Sequence, residues 1–168
     1  MQFNRTISLI AILIFSTLLI SNSAYSKELT SRLGVGYSNQ FGSAELPSIA
    51  VRYYSSSRFG LGASLGIDTE KDNSKFGFLA KIFRIIFVED NMNFYMGSAV
   101  GVTSNEVAGK NNSGFELTGF VGGEYFFTGL DSLGFSFEAG IGVTSVSSQV
   151  RFRTIGDSPL KAGITFYF

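Results

Sequence analysis

Apolar and polar residues alternate with a period of two along most of this chain. From Pro159 to Phe168, Leu160, Ala162, Ile164, Phe166 and Phe168 share one face of an extended segment, and Lys161, Gly163, Thr165 and Tyr167 share the other. Earlier stretches repeat the pattern. Leu33, Val35 and Tyr37 oppose Gly34, Gly36 and Ser38; Ile49, Val51 and Tyr53 oppose Ser48, Ala50, Arg52 and Tyr54. Phe59, Leu61, Ala63, Leu65 and Ile67 oppose Gly60, Gly62, Ser64, Gly66 and Asp68. Phe94, Met96, Val100 and Val102 oppose Asn93, Tyr95, Gly97, Ala99 and Gly101, with Ser98 breaking the apolar side. Phe115, Leu117, Val121, Tyr125 and Phe127 oppose Glu116, Thr118, Phe120, Gly122 and Glu124. Leu133, Phe135, Phe137, Ala139, Ile141 and Val143 alternate without a fault against Gly134, Ser136, Glu138, Gly140, Gly142 and Thr144. Each stretch reads as a strand with one apolar face.

Lys75 to Val88 does not keep a single register. Phe76, Phe78, Ala80 and Ile82 alternate with Lys75, Gly77, Leu79 and Lys81, but Arg84 then falls on the apolar face, so a bulge near Phe83 is expected. Leu79, Ile82, Phe83, Ile86 and Phe87 also fit helical spacing. The β-branched isoleucines and the strands on both sides favour sheet.

Eight strands result, joined by short turns at Ser55–Ser57, Glu89–Asn91 and Gly129–Asp131 and by longer connections at Asn39–Pro47, Asp68–Ser74, Thr103–Ser113 and Ser145–Ser158. An even strand number puts both chain ends on one side, and the connections then sort into a short end and a long end. Tyr53, Tyr54, Phe59, Phe87, Phe94, Tyr95, Tyr125, Phe126, Phe127, Phe135, Phe166, Tyr167 and Phe168 are expected to gather at the short-turn rim. An apolar strand at the end of a chain needs partners on both edges, and closing a barrel supplies them. The fold class is therefore all-β: an eight-stranded antiparallel up-and-down β-barrel.

Composition supports a curved sheet, with Gly 20 and Phe 18 against Pro 2. Lys+Arg 13 balances Asp+Glu 13, which gives no argument for nucleic acid as a partner. Cys 0 removes disulfides, and together with His 0 it removes the usual zinc, copper and haem ligands, so no metal or cofactor is expected. The glycine pairs Gly60-Leu61-Gly62 and Gly140-Ile141-Gly142 lie in strands with no following helix, which argues against a phosphate cradle.

Residues 1–26 have a different character. Arg5 precedes an apolar run from Ile7 to Ile20, too short for a membrane helix, and Ala24-Tyr25-Ser26 offers a cleavage site before Lys27. A secretory signal peptide over 1–26 and a barrel over 27–168 follow, with an uncleaved anchor as the alternative.

Either face of such a barrel can be the dry one. A soluble, lipocalin-like cup would point the Phe135 face inward around a ligand. The opposite face, mostly Gly, Ser, Ala and Thr, carries few charges for a water-facing surface and suits a narrow lumen, and the aromatic rim suits a bilayer interface. A transmembrane barrel is the favoured reading. Arg52, Lys75, Lys81, Glu116, Glu124, Glu138 and Lys161 then point into the lumen, where nearly balanced charges are expected to pair into a plug. A conducting or proton-relay role for them is the sharper alternative.

The alternating last strand ending on Phe, with Ile164, Phe166 and Phe168 on one face, resembles that of bacterial outer-membrane β-barrel proteins, whose assembly machinery reads such an ending. Signal, strand count and ending together resemble the small eight-stranded barrels of the OmpA, OmpX and OmpW kind. The resemblance implies an exported Gram-negative outer-membrane protein, surrounded by outer-membrane lipid, handled in biogenesis by periplasmic chaperones and the barrel assembly machinery, and monomeric. Barrel enzymes of that membrane resemble one another in using a catalytic histidine, which His 0 excludes here. The expectation is a non-enzymatic barrel with a plugged lumen and a structural or surface-interaction role. The alternative is a porin-like small pore or carrier of small hydrophobic molecules, suggested by Leu79 and Phe120 on the otherwise polar face.

Overall fold

A computed structural model describes residues 29–43, 45–146, 149–154 and 161–168. The expected signal peptide over 1–26 lies outside these residues, as do Pro159 and Leu160.

Among the described residues the chain forms nine strands: β1 (Leu33–Ser38), β2 (Ser48–Ser56), β3 (Phe59–Asp68), β4 (Lys75–Glu89), β5 (Met92–Val107), β6 (Lys110–Phe126), β7 (Leu133–Val146), β8 (Gln149–Thr154) and β9 (Lys161–Tyr167). Each of the first seven pairs antiparallel with its sequence neighbour, and β9 pairs with both β7 and β1. That last contact, from Gly34↔Tyr167 to Ser38↔Gly163, closes the barrel. β8 and β9 lie in line along the same edge of β7, which pairs Ile141 with Thr154 and Glu138 with Lys161. They are two halves of one stave, so the closed antiparallel barrel has eight staves, as the sequence predicts.

Three expectations about connections need correction. Thr103–Ser113 is not a loop: β5 and β6 pair without a break to Val107↔Lys110 and turn through Ala108 and Gly109, both at positive φ (51° and 75°). Ser145–Ser158 contains β8, which forms a hairpin with the end of β7. The bulge in β4 lies between Ile85 and Phe87 rather than near Phe83. Arg84 therefore stays in register, paired with Phe59 and Met96, and projects outward. The strand reading of Lys75–Val88 holds and the helix is excluded.

Burial alternates along the staves, and its sense is inverted relative to a water-soluble barrel. Outward positions carry Ile49, Leu65, Ile82, Val100, Leu117, Val121 and Ile141, all exposed, while the buried set includes Arg52, Lys81, Glu116, Glu124, Glu138 and Lys161. Ile164, Phe166 and Phe168 also face outward, at 39, 56 and 67% exposure. The outward run from Phe115 to Tyr125 spans about 26 Å along the axis at about 3.4 Å per residue and about 40° of tilt. Beyond it the outward residues turn polar, with Ser104 and Ser113 in hydroxyl contact at 3.1 Å, and the β5–β6 hairpin continues as a projecting ribbon.

The expected aromatic rim divides in two. Tyr53, Phe59, Phe87, Phe127, Phe166 and Phe168 face outward near the short-turn end, with edge contacts such as Tyr125–Phe127 at 5.2 Å and Phe127–Phe135 at 5.4 Å. Tyr54, Tyr95, Phe126 and Tyr167 instead point inward and are fully buried. Period two dictates this split, because neighbours in a strand face opposite ways: Tyr53 and Tyr54, or Phe166 and Tyr167, cannot share a face.

Candidate functional site

The lumen is filled in two storeys. The lower one, near the short turns, is an aromatic and ionic cluster. Glu124, on β6 with no exposed surface, accepts from the Tyr54 hydroxyl at 2.5 Å, the Tyr167 hydroxyl at 2.6 Å and Nη1 of Arg52 at 3.1 Å. Glu138, on β7, accepts from Nζ of Lys81 at 2.8 and 2.9 Å and from the Tyr95 hydroxyl at 2.9 Å. Arg52 ties the two carboxylates together, with Nη2 4.0 Å from Glu138. Its guanidinium carbon lies 4.7 Å from the Phe83 ring centre and 4.8 Å from that of Tyr95, and the Lys81 ammonium lies 5.0 Å from that of Phe120. Two cations and two carboxylates balance, which is the condition for holding charge away from bulk water.

The upper storey comes from the connection between β1 and β2. After Ser38 the chain turns inward instead of out, and Gln40, Phe41 and Leu46 are buried inside the barrel. Phe41 and Leu46 have room because the wall is glycine there. A Cβ on Gly77 would stand 2.7 Å from the Phe41 ring, and one on Gly66 would stand 2.6 Å from Leu46. Polar contacts fasten the backbone of this cork. Glu116, fully buried, accepts from the N–H groups of Gly42 and Ser43, each at 3.0 Å, and from the Ser43 hydroxyl at 3.0 Å. Lys161 donates to the Phe41 carbonyl at 2.6 Å, and Arg153 donates to the Gly42 carbonyl. Lys81 also donates to the Gln40 side chain, so the cork is wired to the cluster below.

Comparison with protein-family models, with curated proteins and with solved structures finds no match. The geometry of the chain itself has to carry its interpretation.

Of the seven charged residues assigned to the lumen from sequence, six are buried there and take part in these contacts. Lys75 does not join them: it is half-buried at the first position of β4, at the long-loop end, with no ion pair among the described residues. Leu79 and Phe120, which suggested an apolar path, belong to one buried cluster with Phe41, Leu46, Phe83 and Tyr95. Two internal cavities beside the network measure about 10 Å³ each, the space of a single water. At the long-loop mouth a basin of about 440 Å³ is lined by Ser43, Asn112, Gln149, Arg151 and Arg153 among others, and is polar.

Sequence reasoning missed the cork, the three tyrosines that cap the carboxylates, and Arg153. Each left a trace: Phe41 and Leu46 are large apolar residues in an otherwise polar connection, and Tyr54, Tyr95 and Tyr167 all fall on the lumen parity of their strands. The register β8 takes, with Val150 and Phe152 outward at 70 and 72% exposure, was likewise readable from their alternation with Gln149, Arg151 and Arg153.

Proposed function

We propose that this chain is a non-enzymatic integral outer-membrane β-barrel protein whose lumen is sealed and whose role is structural or in surface interaction. The observation that carries the reading is the inversion of the barrel: large apolar side chains cover its outside, and ionised side chains fill its inside. In water this arrangement leaves an apolar surface continuous around the molecule, far beyond the patches soluble monomers expose. In a bilayer it is the arrangement of lowest free energy, because the staves pair edge to edge around a closed ladder and the band of about 26 Å matches the roughly 25 Å apolar height of such barrels. On this reading the short turns face the periplasm and the β5–β6 hairpin projects from the cell surface as a ribbon available to a partner.

The sealed lumen favours this role over a pore or a carrier. Leu79 and Phe120 are occupied by the cork, and the basin at the mouth is lined mainly by polar side chains, with Val146 its one large apolar residue. The test is to refold residues 27–168 in the presence of phospholipid vesicles and follow flotation with the vesicles and heat-modifiable migration. The expected product floats and migrates as a compact species until boiled. A product that remains monomeric and folded in the aqueous phase without lipid contradicts the reading.

A further inference from the structure

The rim at the short-turn end is stepped. β3 begins at Phe59, paired with Arg84, whereas β4 runs on to Glu89. Past Ile85, whose N–H donates to the Arg58 carbonyl at 2.9 Å, β4 has no partner in β3, and the bulge between Ile85 and Phe87 falls in this overhang. The step leaves an open notch of about 610 Å³ between the β2–β3 turn, which supplies Ser57 and Arg58, and the β4 segment from Arg84 to Val88.

Arg58 and Arg84 both line the notch and both are exposed, and among the described residues neither side chain has an ion pair or a hydrogen bond. Their surroundings are apolar. Arg84 is flanked across the ladder by Phe59 and Met96 and along its strand by Ile82 and Ile86, all of them exposed. The buried cations Arg52, Lys81 and Lys161 each have a carboxylate, carbonyl or amide against them, whereas these two arginines place positive charge without a protein anion on an apolar outer face. A guanidinium there is tolerated near a bilayer interface, where the long side chain reaches an anion at head-group depth.

We propose that the notch is a binding site for a phospholipid head group, with Arg58 and Arg84 taking the phosphate and Ile86 and Phe87 lying against the glycerol and first acyl carbons. This rests on the membrane reading above. Guanidinium groups suit phosphate because their planar forks donate two parallel hydrogen bonds to its oxygens. The apolar half of the notch selects a lipid over a soluble anion.

The experiment uses the refolded barrel reconstituted with phosphatidylglycerol, released in mild detergent, and weighed by native mass spectrometry for retained phospholipid. Wild type is expected to retain phosphatidylglycerol through release, with no displacement by excess inorganic phosphate. The Arg58→Gln/Arg84→Gln double variant is expected to retain it about tenfold more weakly or worse, as the loss of one charge-assisted bond already implies. Lys71→Gln, in the β3–β4 connection at the opposite end, is expected to behave as wild type. Arg58→Gln alone, in a turn, replaces the double variant if the latter does not fold. Unchanged retention in a floating variant overturns the site and leaves the membrane reading intact. Stripping of the lipid by inorganic phosphate also overturns the site, marking it as one for soluble anions. A wild type that does not float with vesicles overturns both.

Discussion

Removing the Glu116 carboxylate should unlatch the cork without unfolding the barrel. In Glu116→Ala the N–H groups of Gly42 and Ser43 and the Ser43 hydroxyl lose their shared acceptor. Hydrogen bonds to a charged group contribute about 1.5–3 kcal/mol each but do not add fully, so a loss of about 3–6 kcal/mol to the seated cork is reasonable. What remains is mainly the burial of Phe41 and Leu46, about 1.5–3 kcal/mol apiece, and the cationic contacts from Lys161 and Arg153. Loss and remainder are of the same size, so the cork becomes marginal rather than absent. Opening that was rare should become about two to four orders of magnitude more frequent, at about 1.4 kcal/mol per decade. Amide hydrogen exchange at Gly42 and Ser43, measured on the refolded barrel in micelles, reads this directly. Protection there should fall by that factor while the β3–β4 and β6–β7 ladders keep theirs. Unchanged protection at both amides would refute the latch; a loss spread over all staves would show that Glu116 supports the barrel and not the cork.

Other substitutions probe the remaining parts. Glu124→Gln leaves Arg52 buried beside a neutral group and should destabilise the barrel by about 3–5 kcal/mol in denaturant unfolding; Arg52→Met in the same chain should recover part of that loss, and strict additivity would show that the pair does not interact. Gly36→Val should abolish the compact, heat-modifiable band, because a Cβ at Gly36 would meet the Ile164 carbonyl oxygen at 1.9 Å and part β1 from β9. Gly109→Ala has open space around its Cβ but a φ of 75°, so it should cost only about 1–2 kcal/mol, confined to exchange in the β5–β6 hairpin.

Period two made the staves legible wherever one face is apolar, as in Phe59–Ile67 and Leu133–Val143, and parity also placed six of the seven lumen charges. The sequence was silent where that contrast fades. Thr103–Val107 and Lys110–Gly114 pair fully, but they lie beyond the apolar band, where Val107 is the only large apolar residue and no hydrophobic period marks the strands. The cork is an irregular segment held by side chains distant in sequence, Glu116 and Lys161, and no local pattern encodes such contacts. Arg84 looked like a register fault because an outward cation contradicts an apolar face; it is in register, and the bulge follows it at the end of its ladder with β3. The aromatics misled in a simpler way: counting them near the short turns overlooked the parity that sends Tyr54, Tyr95 and Tyr167 inside to hydrogen-bond Glu124 and Glu138.

The most direct measurement is single-barrel conductance in a planar phospholipid bilayer, made on wild-type protein already seen to migrate as the heat-modifiable, inserted species. A lumen closed by the cork above and by the Arg52, Glu124 and Glu138 cluster below predicts silence at moderate voltage, and silence again in Glu116→Ala, where the lower storey still seals the bore. Discrete, reproducible openings from the folded wild-type barrel would contradict the sealed lumen and make transport its function.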